Sequence, residues 1–305
     1  MKLLLAIDPA DSSGIVVSQV AARPWPDNTV ARVLTVIDDA AIPSDVLREA
    51  NEDLHRARHL LRGRAEDVIE HAFSELTASG LQAQTEIREG DPRFEIVDAA
   101  IEWLADFIFV RSYVVRDVIQ WLMGSVSKEV LREAPCSIDV VRATREDTAR
   151  YRQRGMKILL ATDGSDYSKA AASSTARRPW PKNSEARVVS CADPFEGTVE
   201  EEFSSIEELI SRKEVGMTPE EDAVYHAMQV VSSAGLKTTG EVLSGYPKGK
   251  IVEEAKKWGA DLVVVGSHGR RGIERILLGS VSEAVALHAH CSVEVIRSSV
   301  LLEEL

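Results

Sequence analysis

The segment that decides the fold begins with the apolar run Asp261-Leu-Val-Val-Val265. It continues as Gly266-Ser-His-Gly269 and, after nine further residues, as Gly279-Ser-Val-Ser282. The β-branched run predicts a short buried parallel strand. The glycines allow a tight turn and close approach of the backbone to a ligand. The last four residues predict a helix start, where free N–H groups and the helix dipole favour an anion such as a phosphate chain.

This strand–loop–helix pattern resembles the universal stress protein family, whose nucleotide-binding members carry G-x-x-G, nine residues, then G-[S/T]. The alternative is that the glycines only shape a turn and Ser280 only caps a helix. Two other phosphate motifs do not fit. The segment from Gly245 to Lys250 is one spacer short of a P-loop and is followed by Ile251, and the spacing from Gly266 to Gly272 is not that of a dinucleotide fold.

The chain is an internal duplication with an offset of 155 residues, since Asp8 recurs as Asp163. Other elements recur at the same offset: Arg23-Pro-Trp-Pro26 and Arg178-Pro-Trp-Pro181, Gly90 and Gly245, Trp103 and Trp258, Asp106 and Asp261, Gly124-Ser125 and Gly279-Ser280, Cys136 and Cys291. The constant offset predicts two copies of one domain, at residues 1–143 and 156–298. Each copy has the usual size of a compact α/β domain.

Residues 145–155, between the copies, are polar and charge-rich and predict a solvated linker. Their arginines also permit a nucleic-acid patch, but the formal net charge of −13 opposes a polyanion. Three cysteines do not make a disulfide framework. No apolar run approaches membrane-spanning length and the N-terminal run is too short for a signal peptide, so we expect a cytoplasmic protein without membrane or nucleic-acid partners.

Strands and helices alternate along the second copy, which predicts an α/β fold with right-handed crossovers and a parallel sheet covered on both faces. One helix is marked by Thr218 as N-cap, Pro219 at the first position and Glu221 completing a capping box. The family resemblance implies two tandem Rossmann-like (adenine nucleotide alpha hydrolase-like) domains. It also implies a five-stranded sheet of order 3-2-1-4-5 in each. Ligands of such sheets bind where the strand order reverses.

Asp163 ends the first strand of the second copy and Gly266 ends the fourth, so both face the reversal point. Alone, Asp163 is also compatible with a turn or N-cap role, and His268 with a surface position. Carried over by position, the resemblance implies an adenosine side and a ribose–phosphate side. The adenosine side comprises Ala161, Thr162, Asp163 and the main chain of Cys191. The ribose–phosphate side comprises Gly266, His268, Gly269, Gly279, Ser280, Val281 and Ser282. Arg270 and Arg271 either approach the phosphates or remain solvated.

The first copy keeps Asp8 and Gly124-Ser-Val-Ser127 but has Arg111 opposite Gly266 and Val114 opposite Gly269. Arg111 is in a position to enter the crevice and pair with Asp8. We therefore expect bulky side chains to plug the first crevice and nucleotide to bind there poorly or not at all. The first copy then acts as a built-in partner of the second, in a pseudo-dimer; homodimers of the whole chain are a further expectation.

The predicted function is ATP binding by a regulatory stress protein, with Mg²⁺ left open as a companion of the phosphates. The crevice offers one aspartate, hydroxyls and backbone donors but no evident paired carboxylates, so we expect no enzyme and no catalytic residue. His288, His290 and Cys291 invite a metal interpretation but have no second ligand cluster, so no metal site is expected. Two alternatives are a slow ATPase using the same site and a stress protein that acts through dimerisation without nucleotide.

Overall fold

The computed structural model describes residues 1–9, 14–38, 40, 42–115, 120–192, 201–213, 216–269 and 278–297. The first half contains, in chain order, β1 (Lys2–Ala6), α1 (Ile15–Ala22), β2 (Val30–Ile37), α2 (Ser44–Glu49), α3 (Leu54–Ala78), β3 (Gln82–Glu89), α4 (Pro92–Trp103), β4 (Phe107–Arg111), β5 (Tyr113–Val115), β6 (Gln120–Leu122), α5 (Ser125–Glu133) and β7 (Ser137–Val141).

The second half follows the connecting helix α6 (Arg145–Arg154). It contains β8 (Lys157–Ala161), α7 (Asp166–Arg177), β9 (Glu185–Ala192), β10 (Glu201–Phe203), α8 (Ile206–Lys213), α9 (Pro219–Ser232), β11 (Lys237–Ser244), α10 (Pro247–Trp258), β12 (Leu262–Gly266), α11 (Ser280–His288) and β13 (Ser292–Ile296). The capping box predicted at Thr218 is present, since Glu221 Oε2 accepts from Thr218 N at 2.7 Å and Thr218 Oγ1 from Glu221 N at 3.2 Å.

Each half has the strand order that the resemblance implies. The order is β3-β2-β1-β4-β7 in the first half and β11-β9-β8-β12-β13 in the second, with parallel pairing throughout both sets. The repeated residues make equivalent hydrogen bonds in the two halves. Asp106 Oδ2 accepts from Lys2 N at 2.7 Å, and Asp261 Oδ2 accepts from Lys157 N at 2.8 Å, so each aspartate fixes the start of its first strand.

Two features depart from a plain five-stranded plan. The short strand β10 adds to β11 antiparallel at the outer edge of the second half, so that half carries a sixth strand. The strands β5 and β6 form a separate antiparallel hairpin after β4. The linker also differs from a purely solvated segment: α6 has a Thr144–Asp147 capping box, and Tyr151 on it is buried against the core, although Arg150 and Arg152 are exposed.

The two halves meet at a central seam, which we define as the antiparallel pair β7 and β13. Asp139 lies directly opposite Glu294 in this pair, and the pairing joins the two sheets into one of eleven strands. Arg23 and Arg178, from the repeated Arg-Pro-Trp-Pro motifs, reach these acids from the two halves. Arg23 Nη1 lies 2.8 Å from Glu294 Oε1 and 3.0 Å from Asp139 Oδ2. All four side chains are at most 4% exposed.

A reciprocal pair of arginines also crosses the seam. Arg142, which follows β7, donates to the Ala289 carbonyl at 3.0 Å and to the Ala286 carbonyl, at the end of α11 in the other half. Its counterpart Arg297, which follows β13, donates to the Arg132 carbonyl at 2.8 Å, at the end of α5. Because the last carbonyls of a helix have no partner within it, each half supplies the C-terminal cap of the other's last helix.

Candidate functional site

Asp163 and the glycine loop converge at the reversal point of the second sheet. β8 and β12 are parallel neighbours, with Leu160 opposite Val264, so the residues after both strands emerge at the same edge. The side chain of Asp163 reaches the loop: a Cβ built on Gly269 would lie only 2.7 Å from Asp163 Oδ2. The two features that the sequence picked out separately therefore occupy one crevice, as predicted for a sheet of this order.

The glycines are needed for packing within the protein itself. A Cβ on Gly266 would lie 2.7 Å from the carbonyl carbon of Tyr167, in the first turn of α7. A Cβ on Gly279 would lie 2.8 Å from the carbonyl oxygen of Ser267. Contacts this short do not occur for real side chains. Gly266 and Gly279 therefore let strand, loop and helix pack together, in addition to the predicted close approach of the backbone to a ligand.

Asp163 takes part in the turn that leads into α7. Its Oδ1 accepts from Ser165 N at 3.0 Å, and Ser165 rather than Asp163 is the N-cap of that helix. The turn role left open by the sequence is thus present for one carboxylate oxygen, while the other oxygen faces Gly269. The N-cap role belongs to the neighbouring serine.

The helix α11 begins at the loop with few side-chain partners for its first turn. Its N-cap is Gly279, which has no side chain to accept from the helix, and Ser280 is exposed. Ser282, predicted on the ribose–phosphate side, has a buried hydroxyl that donates to the Gly266 carbonyl at 2.5 Å. Ser127 does the same in the first half, donating to the Arg111 carbonyl at 2.7 Å. This serine therefore ties the helix to the strand end.

His268 is buried rather than a surface loop residue, at 9% exposure. Its ring lies 5.0 Å from the ring of Tyr167, and Nδ1 lies 3.3 Å from Ser267 Oγ. Within the described residues, Nε2 is buried and has no hydrogen-bond partner. Burial, with a smaller effect of Arg297, lowers the pKa of His268, which favours the neutral imidazole. Because buried polar atoms are usually hydrogen-bonded, Nε2 is a candidate for a contact with a bound ligand.

The residues assigned to the adenosine side line the ends of β8 and β9. Ala161 and Thr162 are buried, and Thr162 N donates to the Val189 carbonyl at 2.8 Å. Thr162 Oγ1 lies 3.1 Å from Ser168 Oγ, so this hydroxyl holds the turn into α7. Cys191 is half-buried on β9, and burial raises the pKa of its thiol to about 12, which leaves its main chain as the relevant group.

Some expectations fall on residues that are not described or concern groups that the structure lacks. Arg270 and Arg271 lie outside the described residues. In the ranges that are described, no group of three or more His, Cys, Asp or Glu side chains is arranged to hold a metal ion. No helix among the described residues is long and apolar enough to cross a membrane.

The first half retains an open crevice where we expected a plug. A cavity of about 520 Å³ lies at the ends of β1, β2 and β4, and Asp8, Arg111 and Gly124 all line it. Arg111 lies at the wall of this cavity, at the strand position that Gly266 occupies in the second half, so the larger residue does not fill the crevice.

Comparison with known proteins follows the same division of the chain. The sequence matches the universal stress protein family over residues 1–142 and again over residues 156–297. A universal stress protein of Methanocaldococcus jannaschii is 39% identical over 144 residues, which cover 46% of this chain and 81% of the relative. One from Mycolicibacterium smegmatis is 31% identical over 247 residues, covering 79% of this chain and 76% of the relative.

A solved structure supports the fold. The universal stress protein of Archaeoglobus fulgidus matches with a TM-score of 0.62 at 19% identity, covering 97% of this chain and 96% of that one. The sheet order, the glycine loop at its reversal point and the duplication define a tandem, doubly wound α/β protein. The chain belongs to the universal stress protein family, with two domains of that family in tandem.

Proposed function

We propose that the second half binds ATP and that the protein acts as a nucleotide-responsive regulator rather than as an enzyme. The observation that carries the proposal is the convergence of Asp163 Oδ2, Gly269 and the start of α11 at one reversal point. A helix start with unpaired N–H groups suits phosphates, and the aspartate beside it suits the hydroxyls of a ribose. The buried Nε2 of His268 offers one further polar contact.

The first half serves in this proposal as a built-in partner. The shared sheet, the buried charges at the central seam and the reciprocal arginine caps support a pseudo-dimer inside one chain. ATP at about a thousand times its dissociation constant would stabilise the folded chain by about 4 kcal/mol, enough to shift a conformation or a partner surface. Association of whole chains into a homodimer remains part of the proposal.

Calorimetric titration of the intact chain with ATP tests the site. We expect one ATP per chain and an at least tenfold weaker affinity for Asp163→Ala, because the carboxylate beside the loop is lost. Asp166→Ala is the matched control, since Asp166 is exposed and pairs with Lys169 on the surface of α7. Equal affinities of the Asp163→Ala variant and the parent chain would refute the placement of the site.

A second pair of variants tests the loop. Gly269→Val places side-chain atoms against Asp163 and should also weaken ATP binding at least tenfold. Gly249→Val is its control, because no atom lies within 4 Å of a Cβ built there. Native mass spectrometry reports the number of nucleotides per chain and the assembly together. Phosphate release over many turnovers would instead establish the ATPase alternative.

A further inference from the structure

The cavity in the first half has the dimensions of a small-molecule site. Its volume of about 520 Å³ falls within the roughly 300–1,000 Å³ typical of such sites. It lies at the ends of β1, β2 and β4, the usual place for ligands in an open parallel sheet. Much of its wall is aliphatic and comes from the sheet and from α3 and α4: Leu34, Val36, Ile37, Leu61, Ile96 and Val110.

A roof that the second half does not share encloses this cavity. We define the roof as α2 together with residues 54–64 of α3. The helix α9 begins at Pro219, the counterpart of residue 64, so α3 begins ten residues earlier than its equivalent. The roof has its own small core, which includes Val46, Ala57 and Leu61, and it presents Leu61 and Arg64 to the cavity. In the second half, residues 201–213 instead form β10 and α8.

Among the described residues that line the cavity, the formal charges balance, with three arginines and three aspartates. At the rim, Arg64 pairs with Asp45 and Glu49 at 2.8 Å each, and Arg93 pairs with Asp91. Asp38 Oδ1 accepts from Ala40 N at 2.8 Å. A balanced lining suits a ligand with a single negative charge better than a triphosphate, which would bring an excess of about three to four charges into the crevice.

One end of the cavity suits that single charge. Arg111 ends β4, and its carbonyl oxygen accepts from Ser127 Oγ at 2.7 Å, so the strand end touches the first turn of α5. The helix α5 has Gly124 as N-cap and therefore no side-chain cap. Arg111 and residues 124–127 line the same cavity, and a cationic side chain together with the positive end of a helix dipole favours an anionic headgroup. The aliphatic residues, including Val36, Ile96 and Val110, line the same cavity.

The geometry points to a second ligand site in the first half, for a small amphipathic molecule with one carboxylate or one phosphate group. The headgroup lies between Arg111 and the start of α5, and the apolar body lies against the sheet beneath the roof. ATP is disfavoured there, because Arg111 replaces the loop glycine and the part of the lining that the structure describes carries no net positive charge. This site does not depend on ATP binding by the second half.

Calorimetric titration of the intact chain with octanoate and with octyl phosphate tests the site. We expect saturable binding of at least one of the two at one site per chain. Which of the two binds more tightly identifies the headgroup. Neutral 1-octanol should bind at least tenfold more weakly. No saturable binding of either anion at millimolar concentration would overturn the proposal, and so would equal binding of 1-octanol.

Matched variants locate the binding. Val36→Phe fills the cavity and should weaken octanoate or octyl phosphate at least tenfold without changing ATP affinity. Cys191→Phe, at the equivalent position of the second half, should weaken ATP binding without changing the affinity for the anions. Arg111→Gln should weaken the anions while Arg111→Lys retains most of the affinity. Val36→Phe and Arg111→Gln should have the same melting temperature as the parent chain. If both variants are stable in this way and still bind the anions as tightly as the parent does, the proposed site is wrong, regardless of how ATP binds to the second half.

Discussion

The two crevices of this chain share a sheet order and a helix start but are walled by different parts of the sequence. In the second half, the first turn of α7 packs so tightly on Gly266 that no side chain fits there. In the first half, Arg111 occupies the same strand position, and Leu61 and Arg64 of α3 help to line a cavity of about 520 Å³. A half without the glycine motif can therefore still hold a cavity at this place in the sheet.

At the central seam, the equivalent acids Asp139 and Glu294 have different arginine partners. This difference predicts the largest effect of a substitution on stability. Glu294 accepts from both Arg23 and Arg178, at 2.8 and 3.1 Å, whereas the ion pair of Asp139 among the described residues is with Arg23. Although burial opposes ionisation, Arg178 and Arg23 lower the pKa of Glu294. Glu294→Gln should therefore lower the free energy of unfolding by about 3–5 kcal/mol in denaturant titrations, since two buried arginines lose their partner. Asp139→Asn is the control and should cost less; equal costs would show that the two acids are interchangeable.

The same pair predicts an asymmetric response to pH. Burial, with a contribution from Glu294, raises the pKa of Asp139 to about 7 against the opposing effect of Arg23. An acid whose pKa is raised by folding stabilises the fold below its unfolded value, and this contribution is lost as the pH rises through the folded value. As the pH rises from 5 to 8, the parent should therefore lose stability relative to Asp139→Asn. Parallel stability curves for the two proteins would contradict the raised pKa.

The residues at the ends of β12 and β4, Gly266 and Arg111, predict a smaller and more local difference in stability. Gly266→Ala places a Cβ 2.7 Å from the backbone of Tyr167, and we expect overpacking to cost about 1–3 kcal/mol in thermal or denaturant unfolding. Arg111→Ala at the equivalent position of the first half meets no such constraint, because a Cβ is already accommodated there. A similar loss of stability in both variants would mean that α1 and α7 crowd their strands alike.

Substitution of the repeated tryptophans should have the smallest effect on stability, and this effect should be the same in both halves. Trp25 Nε1 donates to the Val20 carbonyl at 2.8 Å, and Trp180 Nε1 donates to the Thr175 carbonyl at 2.9 Å, each at the end of the helix before it. Removing the donor with Trp25→Phe or Trp180→Phe should cost about 1 kcal/mol in either half. A marked difference would show that this motif, unlike the crevices, has diverged in its role.

The parts of the fold that repeat were accessible from the sequence. The offset of 155 residues gave the duplication, the resemblance gave the strand order, and Thr218, Pro219 and Glu221 marked a helix start through local hydrogen bonds. Such features depend on neighbouring residues or on a pattern present twice. The convergence of Asp163 and Gly269 followed from the strand order alone, because parallel strands bring their ends to one edge.

Features that depend on where a segment docks were missed. The helix α3 carries a clear helical repeat, including Ala57, Leu61, Ala65 and Ile69, which could have predicted the helix but not the cavity beside it. His268 packs against Tyr167, which is about a hundred residues away in the chain. The sequence also does not show that a strand carbonyl lies within reach of the Ser282 hydroxyl.

Because Arg142 and Arg297 each cap a helix of the other half across the central seam, neither half can change at the seam independently of the other. Arg142 completes α11, whose start carries the proposed nucleotide site, and Arg297 completes α5 of the first half. Deleting either half would remove an end from a helix in the other. The first half therefore supports α11 whether or not its own crevice carries the glycine loop, and the walls of that crevice can change as long as β7 and Arg142 are kept.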